Sequence, residues 1–200
     1  YSEVQLDGNI HLIGTQGVGK STILRAILFF YNADTQRLGI PVEKKSYQDY
    51  YFPYADSSII YEVAREDGWF TVLSYKTMNR ICYRFIASPY RPDLFIDEEG
   101  APYPSDRIRS VLDKNGIKYS GAISTYEEYR NILYGNSDNK RDYSCYSLME
   151  SGSYQNIIRT IQNVLLNSRL EADYIKQTII TSLNEADSVI DLSRYRSHLS

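Results

Sequence analysis

Cysteine is close to absent: Cys82 and Cys145 are the only two among 200 residues. They lie far apart and outside any CxxC or Cys/His cluster, which excludes a disulfide framework and a zinc site. The reading is two reduced, half-buried thiols in a cytoplasmic protein. Long apolar runs are missing too. None approaches the ~20 residues that a membrane-spanning helix needs, and no secretory signal is present. Charge of one sign is also lacking. With 22 Lys and Arg against 25 Asp and Glu, net charge −3 and a pI of about 5.5, bulk electrostatics gives no ground for a nucleic-acid or membrane surface. Lys44-Lys45 and Lys140-Arg141 are too short to form basic patches. There is no internal repeat, no low-complexity tract and no heptad run. The sequence opens on Tyr1 rather than Met and is read as a piece of a longer polypeptide.

What is present is a hydrophobic content of 42%, enough for one well-cored domain or one domain with a short appendage. Twenty tyrosines are scattered without pattern and read as half-buried packing. Val4–Leu6 and Ile10–Ile13 are apolar runs separated by Asp7-Gly8, a pair suited to a tight hairpin turn. A helix is predicted after residue 21, with Ile23, Ile27, Phe30 and Tyr31 at helical spacing and Leu24 and Leu28 beside them. Residues 32–52 read as loop. Three strands follow, Ser58–Ala64, Trp69–Tyr75 and Ile81–Ile86, the first two joined through Asp67-Gly68. Leu94–Ile96 is a short fourth strand ending at the turn Glu98-Glu99-Gly100. Helices are predicted from Ser105 to Gly116 and from Thr125 to near Gly135, the latter announced by the capping-box spacing of Thr125 and Glu128. Ser168 and Glu171 open a last helix with Leu170, Tyr174, Ile179 and Leu183 on its inner face. Residues 188–200 read as the start of a linker or coiled-coil connection.

The chemistry sits between the second apolar run and the first helix. Gly14-Thr15-Gln16-Gly17-Val18-Gly19-Lys20-Ser21 fits the GxxxxGKS pattern of a phosphate-binding loop, in the strand–loop–helix setting that this loop requires. Glycines let backbone N–H groups converge on a phosphate, and the helix N-terminus adds partial positive charge. Lys20 supplies a mobile cation for the β- and γ-phosphates, and the Ser21 hydroxyl a ligand for Mg²⁺. The expected ligand is therefore a nucleoside triphosphate, ATP with Mg²⁺, held by residues 14–22.

An acidic residue for hydrolysis is harder to find. Leu94-Phe95-Ile96-Asp97-Glu98 is the nearest stretch, but three apolar residues followed by Gly100-Ala101-Pro102 read as a solvated hairpin end. The same stretch feeds a GTPase alternative. Asp97-Glu98-Glu99-Gly100 fits DxxG, and Asn139-Lys140-Arg141-Asp142 fits the guanine-selecting NKxD, although a polar loop precedes the latter where a strand is normal.

The order of the elements, and the run Gly14-Thr15-Gln16-Gly17-Val18-Gly19-Lys20-Ser21-Thr22 continuing Ile23-Leu24-Arg25-Ala26-Ile27, resemble the first lobe of an SMC/MukB-like ATPase head. The resemblance is carried by residues 1–31 and is topological over roughly 58–183. Gln16 departs from the Asn usual there. It implies an α/β P-loop NTPase fold: an ABC-ATPase-like N-terminal head lobe over residues 1–187 with an antiparallel β subdomain. It further implies an ATPase completed by the C-terminal lobe of the same polypeptide, which carries Walker B and the signature. A second head would engage on ATP binding, as a homodimer, and DNA would be contacted through the assembled complex in chromosome organisation, repair or plasmid and phage defence. A Gln contacting Mg²⁺ and the attacking water is implied as well, with Gln155 and Gln162 in its window and Gln162 preferred. The non-enzymatic alternative is a nucleotide-gated interaction module that does not hydrolyse.

Overall fold

Residues 58–86 fold as an antiparallel meander. In the computed structural model β1 (Ser58–Arg65), β2 (Gly68–Lys76) and β3 (Ile81–Ile86) form a three-stranded sheet in that order. The structure describes residues 2–6, 13, 15, 17–38, 40, 44–78, 80–135 and 143–148. The chain divides into two units, Tyr1–Ser151 and Gly152–Ser200, and all described residues belong to the first. The Asp7-Gly8 turn, the helix expected from Ser168 and the connection at 188–200 lie outside the described residues.

The register Arg65↔Gly68 makes Glu66-Asp67 the two-residue loop of the first hairpin, one position earlier than the Asp67-Gly68 pair predicts. The Arg65 guanidinium spans this turn. It donates from Nε and Nη2 to both carboxylate oxygens of Asp67, each at 2.7 Å, and so latches the turn. The free edge of β3 is covered by residues 118–123, through bridges Tyr83↔Ile123 and Ile86↔Tyr119.

β2 and β3 are buried on both faces, and the period-two alternation of strand side chains sorts two cores. One face presents Tyr61, Phe70, Val72, Tyr83 and Phe85. Packed on it are α1 (Lys20–Asn32), α4 (Tyr126–Leu133) and the 3₁₀ turn Ser144–Tyr146, through ring contacts such as Tyr83–Tyr129 at 4.5 Å and Phe85–Tyr146 at 5.4 Å. The other face presents Leu73, Tyr75, Cys82 and Ile86 to Leu94, Phe95 and the helix α3 (Ser105–Lys114), which buries Ile108 and Leu112. α4 starts as its sequence predicts, the Thr125 hydroxyl accepting the Glu128 amide at 3.2 Å.

Several expectations are corrected. Residues 32–52 are not all loop: a 3₁₀ turn covers Thr35–Arg37 and a short helix α2 covers Tyr47–Tyr51. Leu94–Ile96 is no strand, because Pro92 starts a 3₁₀ turn, Pro92–Leu94, and only Ile96 bridges onward, to Pro102. Val4 and Leu6 belong to no strand and are about half exposed, and Ile13 is 91% exposed. Cys82 is buried in the second core and Cys145 is exposed, so neither is half-buried. The tyrosines are not mere packing. The hydroxyls of Tyr51, Tyr61, Tyr83, Tyr129 and Tyr134 converge on α1.

Candidate functional site

The phosphate-binding sequence runs into the start of α1, and two of its glycines are among the described residues. Gly17 and Gly19 sit at φ 91° and 93°, in the left-handed region that favours glycine. A Cβ at either would meet no heavy atom within 4 Å, so backbone conformation alone makes glycine necessary there. Gly19 is the N-cap. No side chain caps the helix, and no acidic residue stands in its first turn. The orphan N–H groups and the positive end of the helix dipole are therefore left without an anionic partner from the helix itself. Lys20 Nζ donates back across the loop to the Thr15 carbonyl at 2.6 Å. Val18 and Ser21 are exposed, while Lys20 and Thr22 are partly buried. Gly14, Gln16, Gln155 and Gln162 lie outside the described residues.

Behind this bare N-terminus the helix is held by tyrosines from four other elements. Tyr51 Oη donates to the Thr22 carbonyl at 2.7 Å, Tyr61 Oη to that of Ala26 at 2.9 Å, and Tyr129 Oη to that of Phe30 at 2.7 Å. Residues 22, 26 and 30 are four apart, so these acceptors form one stripe along the helix. At its end Tyr134 donates to the Tyr31 carbonyl and Tyr83 to that of Ala33, the latter at 3.2 Å. Ala33 closes the helix in the left-handed conformation, φ 54°, with its amide on the Phe29 carbonyl at 2.7 Å. The last turn thus receives hydroxyl donors where a helix ordinarily leaves orphan carbonyls. Burial holds these phenols protonated: it pushes Tyr61, Tyr83 and Tyr129 far above the usual tyrosine range, and Tyr51 up to about 12.

α2 locks onto the same helix. Tyr47, 2% exposed, stacks between Phe29 of α1 at 4.4 Å and Tyr51 at 4.1 Å. Ser46 caps α2, accepting the Asp49 amide at 3.2 Å, and Lys76 of β2 donates to the Phe52 carbonyl at 3.3 Å. Sequence reasoning missed this segment and with it Tyr50, whose hydroxyl lies 3.5 Å from Thr22 Oγ1.

The acidic stretch is a turn, as its sequence predicts. Asp97 Oδ1 accepts the amides of Glu99 at 3.0 Å and Ala101 at 2.8 Å, while Glu98 and Glu99 are exposed. One oxygen of that carboxylate is thus engaged by backbone donors of its own turn. The NKxD segment, Asn139–Asp142, lies outside the described residues.

Compared with known families, the sequence matches over residues 1–198 the one described as protein of unknown function, DUF3584. The chain belongs to the DUF3584 family. No curated protein and no solved structure matches it. In this DUF3584 chain no described helix is long and apolar enough to cross a membrane.

Proposed function

We propose that this DUF3584 chain binds Mg-ATP at residues 14–22 and forms the N-terminal lobe of an SMC/MukB-like ATPase head. The observation that carries the reading is the start of α1. Two left-handed glycines lead into a helix N-terminus with neither cap nor acid, and Lys20 is folded over the loop that would cradle the phosphates. Backbone amides there suit phosphate oxygens, and the Lys20 ammonium, released from the Thr15 carbonyl, suits the β- and γ-phosphates. The residue fitted to hold Mg²⁺ is Ser21, exposed in the first turn of α1. The metal would supply charge neutralisation between phosphate oxygens. α1 itself, gripped along one stripe by hydroxyls, keeps the amides aimed without rearrangement on binding, and this preorganisation favours affinity.

In this reading hydrolysis belongs to an assembled head. Asp97, in the acidic stretch nearest to a Walker B element, accepts two amides of its own turn, which supports leaving the general base to another lobe. A C-terminal lobe and a second copy of the head would complete the site, and DNA would be engaged by the assembly. Calorimetry on the full-length protein tests the core of the proposal. Lys20→Ala is expected to weaken Mg-ATP binding by about 100-fold or more, since it removes a charge-assisted contact to the phosphates. Ser21→Ala is expected to weaken the Mg²⁺ dependence more than the affinity for free nucleotide. If both variants bind Mg-ATP like the parent, the assignment fails.

A further inference from the structure

We infer that Tyr50 is a nucleoside-contacting residue of this site, with its exposed ring a stacking surface for the base and its hydroxyl a donor to Thr22. The inference rests on the nucleotide-binding reading and adds to it a residue outside the phosphate loop. Three observations carry it. The hydroxyl lies 3.5 Å from Thr22 Oγ1, in the first turn of α1. The ring nonetheless leaves 55% of the residue's surface in solvent, unlike its neighbours Tyr47 and Tyr51, which pack against α1. And the ring is held in place. Tyr51, which Tyr50 meets edge-on at 5.1 Å, is itself bonded to the Thr22 carbonyl, and the Tyr47 stack fixes the rest of α2. Core packing therefore explains Tyr47 and Tyr51, whereas Tyr50 keeps over half of its surface in solvent.

The hydroxyl pair has a definite polarity once a phosphate is present. Thr22 has one proton and two lone pairs, so if it donates to a phosphate oxygen, Tyr50 must donate to Thr22. Such a chain of hydroxyls is strengthened by mutual polarisation. The ring then stands next to the phosphates with its π surface open, and stacking of a base on an aromatic side chain contributes about 5- to 150-fold in affinity. The ligand class this selects is a nucleoside triphosphate over a bare polyphosphate.

The test titrates the full-length protein, with Mg²⁺, against ATP and against inorganic tripolyphosphate. Tyr50→Ala and Tyr50→Leu are expected to weaken ATP about ten-fold and leave tripolyphosphate within about two-fold of the parent. Tyr50→Phe, which keeps the π surface, is expected to retain most of the ATP affinity. An unchanged ATP affinity in Tyr50→Leu, or an equal loss on both ligands in Tyr50→Ala and Tyr50→Leu, overturns the inference. Failure of the underlying reading has a different signature: the parent protein then binds neither ligand, and the inference falls with it.

Discussion

Replacing Tyr129 by Phe removes one oxygen atom from a fully packed site, and the structure says what that oxygen does. Tyr129 is 1% exposed, its ring lies against Tyr83 and Phe85, and its hydroxyl donates to the Phe30 carbonyl at 2.7 Å. Phe30 O is among the last four carbonyls of α1, which have no partner further along the helix. The substitution keeps the packing and leaves a buried acceptor unmet, at a cost of about 1–3 kcal/mol. For a domain of this size that is a drop of roughly 2–12 °C in Tm. Tyr61→Phe makes the informative comparison. Its acceptor, Ala26 O, lies in the helix interior, where the i+4 amide already satisfies it, so the expected loss is about 0.5–1 kcal/mol. Tyr50→Phe, half exposed, should sit within about 0.5 kcal/mol of the parent. Thermal melts of the three variants give the order. If Tyr129→Phe costs no more than Tyr61→Phe, the hydroxyls are not capping the helix and the account of α1 is wrong.

The same tyrosines predict instability in alkali. Their folded pKa values are raised by burial, so the stability they lend is complete below the ordinary tyrosine value of 10.0 and is lost as pH rises above it. Each approaches about 1.4 kcal/mol per pH unit there, so Tyr61, Tyr83 and Tyr129 together remove about 4 kcal/mol per unit, while the contribution of Tyr51 ends near pH 12. Tyrosinate absorbance and circular dichroism should change together above pH 10; phenols that titrate while the helix signal persists would refute this. Glu98→Gln should leave ATP turnover of the full-length protein unchanged, because Glu98 lies exposed in the Asp97–Gly100 turn. A variant that binds ATP and fails to release it would make this stretch the Walker B.

Much of the fold was legible because the signals were local. The glycines at 17 and 19 announce positive φ, the apolar spacing from Ile23 announces a helix, Thr125 and Glu128 announce a cap, and the alternation over 58–86 announces strands. What stayed hidden was long-range or short. Five residues, Tyr47–Tyr51, are too few for a 3.6-residue period to show, and α2 owes its place to stacking on Phe29, 18 positions earlier in the numbering. Leu94–Ile96 misled because three apolar residues suit a buried turn as well as a strand, and Pro92 decided between them. The tyrosine hydroxyls were invisible for a deeper reason. Those of Tyr51, Tyr61, Tyr83, Tyr129 and Tyr134 each target a backbone carbonyl, and every residue has one. No complementary side chain is needed, so no pair or spacing in the sequence records the contact.

The two ends of α1 are treated oppositely, and this asymmetry bears on the proposed role. The C-terminal turn is buried and supplied with three hydroxyl donors, from Tyr129, Tyr134 and Tyr83, in a helix with no basic residue in its last turn. The N-terminal turn has no side-chain cap and contains no acidic residue of its own. Neutral donors at one end satisfy the carbonyls without adding a positive charge there that would compete for an anion. In the proposed role, the uncapped end would offer its amides and its share of the dipole to an anion from solution. Lys20 adds the one formal charge of that turn, and it points back at Thr15 O, a contact a triphosphate can replace with a stronger one. The position of Tyr50 follows from the same arrangement. α2 is anchored to the first turn through Tyr51, so the ring beside it must lie at the bare end, where a nucleoside attached to those phosphates would be.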